Sequence, residues 1–456
     1  MNAATHADYR DRSWTPQPAA EGAWRRFLTE ALAGNRRAAA LADQLHATTA
    51  VRLRDVVDHV VIADRAALER LEGARWSRRA DGVLVNPTGE FPEVVPGDAT
   101  VVWLRVEDVA HFLRTHGCDS PLEGAEHGPL QRSLCFPDRI AFGVLARRGY
   151  PGFDVPTVDP EAIRRARLHH RRFLARRRQF DTIEQGLAHT ERLVDAAVAD
   201  LGQHWACALW LDAERAYWMT RCPTGRRQKE RQDRAGIGWA NLDHHTYDGS
   251  RRHYRHTIRI LEKLGYELRE MLYAGELAGW GSQVLEQPVL KSTIFADVDL
   301  APHEVDVDFA HEQLPDLDRH RRAGIVSTLH GESILEGGLN HVAGLYDQAQ
   351  FRRIAAAEGV RTMPPFSTFP FLYQELTEGD VAAVELERVD ALEAGGHLTA
   401  AEAEQIRLNG FIAAHLENIE RNDGYKGFNR PGIDGVLRAL DPRAAVRDSA
   451  LAGTSA

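Results

Sequence analysis

From about residue 236 onward the chain repeats one pattern, a strand, a helix and then further strands, and this repetition restricts its fold more than any other feature. Tyr254, Ile258, Leu261 and Leu264 form one apolar helix stripe, Gly265 is placed to end that helix, and Tyr266 to Tyr273 can return as a strand. Ser282 to Pro288 and Ser292 to Val298 follow as apolar runs of strand length. The same unit begins again at Leu339 to Tyr346, continues as a helix from Gln348 to Glu358 and closes at Gly410 to Ile419. Two such units side by side make a curved sheet that can hold a metal.

At 456 residues the chain is too long for one ordinary core, so more than one domain is expected. Residues 15–50 read as helix, with Trp24, Phe27, Leu28 and Leu32 at helical spacing. Strand-like Val56 to Ile62, a short helix at Ala66 to Leu71, strands at Val83 to Asn86 and Thr100 to Val106, and a helix from Glu107 to Leu113 suggest a small α/β unit. Pro151, Gly152, Pro156 and Pro160 punctuate its end. The expected division is an N-terminal α/β domain over 1–150, a helical connector over 151–235, a metal-binding domain over 236–445 and a disordered tail over 446–456. Within the connector, Pro160 to Arg178 is a strongly basic helix, read as a solvated face packed on acidic neighbours, with an anion or partner patch as the alternative.

A net charge of −10 and a pI near 6.1 argue against sequence-independent nucleic-acid binding. The four cysteines form no Cys-x-x-Cys pair, which suits reduced thiols in a cytoplasm. The polar N-terminus and the lack of a membrane-length apolar run predict a cytoplasmic protein without membrane attachment.

Asp243-His244-His245-Thr246 opens the first unit, and Asn340-His341-Val342 opens the second at a mirrored position. His415-Leu416-Glu417-Asn418-Ile419-Glu420 places carboxylates in the last strand-like segment. Two imidazoles and one carboxylate on one face of a metal leave positions open for substrate and oxygen, the arrangement of non-haem Fe(II) oxygenases, although Mn, Co or Zn would also accept these ligands. Adjacent strand residues point to opposite faces, so only one of His244 and His245 can serve.

Asp243-His244, Leu264-Gly265-Tyr266-Glu267-Leu268-Arg269, Ile294-Phe295-Ala296-Asp297-Val298, His330-Gly331 with Asn340-His341-Val342, and Leu416 to Arg421 followed by Asp423-Gly424-Tyr425 resemble motifs of the 2-oxoadipate dioxygenase/decarboxylase family. The resemblance spans roughly residues 236–440 and implies an α+β fold of paired βαβββ units, the vicinal-oxygen-chelate arrangement. It implies His244, His341 and Glu417 as metal ligands, with His245 and Glu420 as their rivals. Glu420 otherwise lies behind the metal or faces substrate, and His330 could hydrogen-bond oxygen or substrate. Where the family tends to carry an arginine clamp for a substrate carboxylate, this chain has Asp248, so Arg251 or Arg252 takes over or the substrate differs. Tyr247 is the remaining candidate to meet it. The activity implied is Fe(II)-dependent oxidation of a small polar acid by O2, either a 2-oxo acid or an amino-acid-like relative, without a separate 2-oxoglutarate. A metal-dependent lyase or isomerase is the alternative, and a homodimer is possible. The first 150 residues could be a degenerate copy of the same unit, a lid or a dimerisation element.

Overall fold

The computed structural model describes residues 13–429 apart from Leu277, so the expected disordered tail lies outside the described residues. The chain opens with α1 (Pro18–Ala33) and α2 (Arg36–Thr49). The helix expected over 15–50 is broken because the Asn35 side chain accepts the Ala38 N–H and donates to the carbonyls of Phe136 and Ile140.

The first sheet is built from β1 (Val57–Ile62), α3 (Arg65–Glu72), β2 (Ser77–Arg78), β3 (Leu84–Val85), β4 (Glu93–Pro96), β5 (Val101–Arg105), α4 (Val109–Thr115), β6 (Leu130–Phe136) and β7 (Ala141–Arg147). Its strand order is β2-β3-β4-β1-β5-β7-β6. β1 is parallel to β4, β5 is parallel to β7, and β1 and β5 meet antiparallel at the centre. Four helices follow as the connector: α5 (Pro160–Leu174), α6 (Ile183–Leu201), α7 (Gln203–Arg221) and α8 (Pro223–Arg234). α5 buries Ile163, Ala166, His169 and Phe173, while Arg164 and Arg167 pair at the surface with Glu161 and Glu126. That is the solvated basic face expected, although the helix stops at Leu174 rather than Arg178.

The second sheet contains β8 (Leu242–Gly249), α9 (Tyr254–Lys263), β9 (Glu267–Tyr273), β10 (Trp280–Gln287) and β11 (Ser292–Asp299). After α10 (Arg322–His330) come β12 (His341–Leu345), α11 (Gln348–Ala357), β13 (Ser367–Phe369) and β14 (Leu372–Leu376). An insertion of β15 (Asp380–Ala382), α12 (Leu386–Ala394) and α13 (Ala400–Asn409) precedes β16 (Phe411–Arg421). The order β13-β14-β16-β12-β8-β11-β10-β9 gives two copies of a βαβββ unit, each with its first strand parallel to its last. β8 and β12 join them antiparallel. This is the curved, paired-unit α+β architecture of the vicinal-oxygen-chelate type.

The first sheet repeats the scheme. β1-α3-β2-β3-β4 has the same order and the same parallel closing pair as β8-α9-β9-β10-β11, and β5-α4-β6-β7 follows the β12-α11-β13-β14-β16 unit with one strand fewer and without its insertion. The first sheet is therefore built on the same paired-unit strand order as the second.

Candidate metal centre

Alternation along β8 puts His244, Thr246 and Asp248 on the hollow face of the second sheet and His245 and Tyr247 on its back. Tyr247 accordingly faces α7, accepting from Trp210 Nε1 at 3.3 Å and donating to Glu214 at 3.2 Å, far from the role of substrate contact. Ala343 on β12 stands in register between His244 on β8 and Glu417 on β16. Its small side chain leaves the space that the two flanking ligands and His341 enclose.

His244 Nε2 and His341 Nε2 each lie 3.1 Å from Glu417 Oε2, and the two imidazole nitrogens are 3.2 Å apart. Ligands about 2.1 Å from a first-row metal are about 3.0 Å apart when mutually cis in an octahedron and about 3.4 Å apart in a tetrahedron. The spacing fits three cis positions, so the donor set suits a divalent metal that keeps the opposite face for other ligands. The His341 side chain is 16 % exposed, against 3 % for His244 and 2 % for Glu417, so the metal position is approached from the His341 side.

The neighbours fix these three side chains. His244 Nδ1 is 2.8 Å from Asp243, whose carboxylate takes the Arg421 guanidinium at 2.5 and 3.1 Å. Gln374 donates to Glu417 Oε1 at 2.9 Å, and His341 Nδ1 is 3.3 Å from the Asn340 side-chain oxygen. Arg421 also donates to the Tyr425 and Gly427 carbonyls, placing Phe428, whose ring packs with that of Phe295 against His244. Burial works against charge here, yet Glu417 and Asp243 outweigh it and hold His244 up to about 9. Burial likewise opposes ionisation of Glu417, but the two histidines hold its carboxyl well below the usual range. Glu417 is therefore held as a carboxylate. Replacing Asp243 by Asn should loosen the imidazole and weaken metal affinity by about 10–100-fold. Equilibrium metal titration with the fold intact by circular dichroism checks this, and an unchanged affinity would remove Asp243 from the centre.

The other sequence candidates divide. Glu417 and Glu420 are an odd number of positions apart and take opposite faces; Glu420 accepts from Arg52 and from the Gln348 N–H, joining the N-terminal region to α11. His330 ends α10 with its ring 3.1 Å from the Ile412 carbonyl, and burial lowers it to about 4. Arg251 is held by Glu304 at 2.5 and 2.8 Å and by the carbonyls of Pro315 and Asp299, a structural clasp rather than a clamp. Arg252 is exposed beside Glu184. Asp248 stays on the hollow face, 3.2 Å from Arg322 on α10 and in register with Asp297 on β11. Burial and then Asp248 raise Asp297 to about 7. Asp299 positions α10 by accepting the N–H groups of Arg321, Ala323 and Gly324. Sequence reading missed Asp243, Arg421, Gln374, Asp297 and Arg322 as parts of the centre. The Asp-His dipeptide and an arginine four residues after Glu417, on the same strand face, were the available signals.

The first sheet carries the same frame without the triad. His59 on β1 has Asp58 at 2.7 Å from Nδ1, and Arg147 at the end of β7 holds Asp58 at 2.7 Å, as Arg421 holds Asp243. By register Val101 replaces His341, Trp103 replaces Ala343 and Gly143 replaces Glu417. The Trp103 indole lies nearly parallel to His59 with centroids 6.1 Å apart, and a Cβ at position 143 would come within 2.4 Å of it. An aromatic ring fills the equivalent of the metal position. The combined substitution Val101→His, Trp103→Ala and Gly143→Glu should therefore raise bound metal from one to two per chain. Elemental analysis of folded protein that still showed one would break the equivalence.

No protein-family model matches the chain, and no characterised protein matches it by sequence. Among solved structures it is similar to a mutant of 4-hydroxymandelate synthase from Streptomyces coelicolor, at 13 % identity and a TM-score of 0.29, covering 85 % of this chain and 98 % of that one. It is also similar to methylmalonyl-CoA epimerase from Mycobacterium tuberculosis, at 14 % identity and a TM-score of 0.21, covering 40 % and 88 %. A xylose isomerase-like TIM barrel/4-hydroxyphenylpyruvate dioxygenase fusion protein gives 12 % identity and a TM-score of 0.25, covering 87 % and 52 %. Likeness this remote carries no argument about chemistry; strand order and ligand geometry do.

Proposed function

We propose that the protein is a non-haem Fe(II)-dependent oxygenase, of the dioxygenase or oxidative decarboxylase type, acting on a small polar acid such as a 2-oxo acid or an amino-acid-like relative. The observation that carries this reading is the cis arrangement of His244, His341 and Glu417 on one face of a metal position. When bound, iron would supply the redox chemistry and the Lewis acidity that a chelating acid needs. The chain's own part is binding, orientation and exclusion of water. Phe295 and Phe428 wall the His244 side, leaving the His341 side for substrate. Asp248 Oδ2 and Asp297 Oδ1 are buried without hydrogen-bond partners on the hollow face, and Asp297 is poised to hold a proton. With Arg322 they offer polar contacts to the end of the substrate that does not chelate. The resemblance to 2-oxoadipate dioxygenase/decarboxylases supports the same reading, while Asp248 in place of an arginine favours a substrate other than a plain dicarboxylic 2-oxo acid.

Protein purified anaerobically and reconstituted with Fe(II) should consume O2 only when a suitable acid is added, in an uptake screen over 2-oxo acids and amino acids. Mn, Co and Zn should occupy the same ligands without supporting uptake. Turnover in the absence of oxygen would replace the oxygenase reading by a lyase or isomerase.

A further inference from the structure

We propose that the cleft where the first sheet, the connector and the back of β8 meet binds a small molecule bearing an oxyanion, a phosphate or a carboxylate, gripped by Arg105, Arg148 and Arg215. Its volume is about 820 Å³, enough for a metabolite. Both signs of charge line it, and most of the carboxylates are already engaged. Asp58 is taken by Arg147 at 2.7 Å, Asp243 by Arg421 at 2.5 Å, and Glu93 by Arg79 at 2.9 Å. Glu107 and Asp233 share Lys229 at 2.7 and 2.6 Å, Asp212 faces His170 at 2.6 Å, and Asp108 caps α4 through the His111 N–H.

Three partly buried guanidinium groups are left over. Among the described residues, Arg105 and Arg148 have no carboxylate within 4 Å, and Arg215 has only Asp212 at 3.5 Å. Arg148 reaches the carbonyls of Gly128 and Glu107 at 3.3 and 3.5 Å. The Nε atoms of Arg105 and Arg215 are buried without partners. Planar guanidinium forks match carboxylate and phosphate oxygens, and buried unmet donors of one sign call for an anionic acceptor. The three arginines lie on the opposite face of β8 from His244, although Asp243, which holds the His244 ring, also lines the cleft.

Calorimetric titration of the full-length, metal-loaded protein at low ionic strength, once with inorganic phosphate and once with succinate, tests the proposal. One-to-one binding of either probe with Kd below about 1 mM is expected, and the preferred probe identifies the head group. Arg105→Gln and Arg215→Gln should each weaken it at least about tenfold while leaving metal content unchanged. Should Arg105→Gln fail to fold, Arg215→Gln, with a side chain already 13 % exposed, carries the comparison alone. Absence of saturable binding by both probes, or binding indifferent to the folded substitutions, overturns the site.

Discussion

Glu417→Ala should release the metal. Glu417 Oε2 lies 3.1 Å from both imidazole nitrogens and belongs to the only carboxylate of the three candidate ligands. Its loss leaves two neutral nitrogens, and His341 is partly open to water. We expect affinity to fall by at least about 10³-fold, roughly 4 kcal/mol, with oxygen uptake falling as far. His244→Ala and His341→Ala should behave alike. Elemental analysis after dialysis against a weak chelator decides the matter: retention of stoichiometric metal in all three variants would remove the centre, whatever the activity. Because Glu417 is buried on a central strand, far-ultraviolet circular dichroism must accompany the measurement.

The second large effect concerns stability and lies behind the sheet. Glu214 on α7 accepts from Arg176 at 2.8 Å and from Arg178 at 2.7 Å, and the side chains of Arg176 and Glu214 are fully buried. Its other oxygen accepts from Tyr247, tying the connector to the back of β8. Glu214→Ala removes the only carboxylate among the described residues that pairs with these guanidinium groups and leaves a cation without compensation in the core. The expected loss is about 3–5 kcal/mol, more than an exposed ion pair could show. Urea unfolding gives the value from the shift in midpoint, and a change below about 1 kcal/mol would mean that water reaches Arg176. The effect should appear equally in metal-free protein, which separates it from loss of the centre.

Local pattern carried much of the second sheet. Its first unit was legible because an apolar helix stripe ends at a glycine and three strand-length runs follow, and all four elements lie within two residues of their expected places. β13, β14 and the insertion before β16 were not read, because short strands separated by a long excursion lose the period that identifies them. In the first sheet β6 and β7 also went unread, so its kinship with the second was hidden until strand order showed it. Arg251 is a further case: a guanidinium near the first histidine suggested a clamp, but only packing brought Glu304 against it.

Sequence by itself determined the candidate ligand types, the two openings at His244 and His341, and a carboxylate near residue 417, because these depend on residue identity and on a strand period of two. Tertiary structure brings His244 rather than His245, and Glu417 rather than Glu420, together with His341, because the hollow face is defined only when β8, β12 and β16 are in register. It also separates the two Asp-His pairs. Asp58-His59 and Asp243-His244 share the same local hydrogen bond and the same arginine partner. What separates them is the residue that the neighbouring strand places beside the histidine, an indole in one sheet and a methyl group in the other.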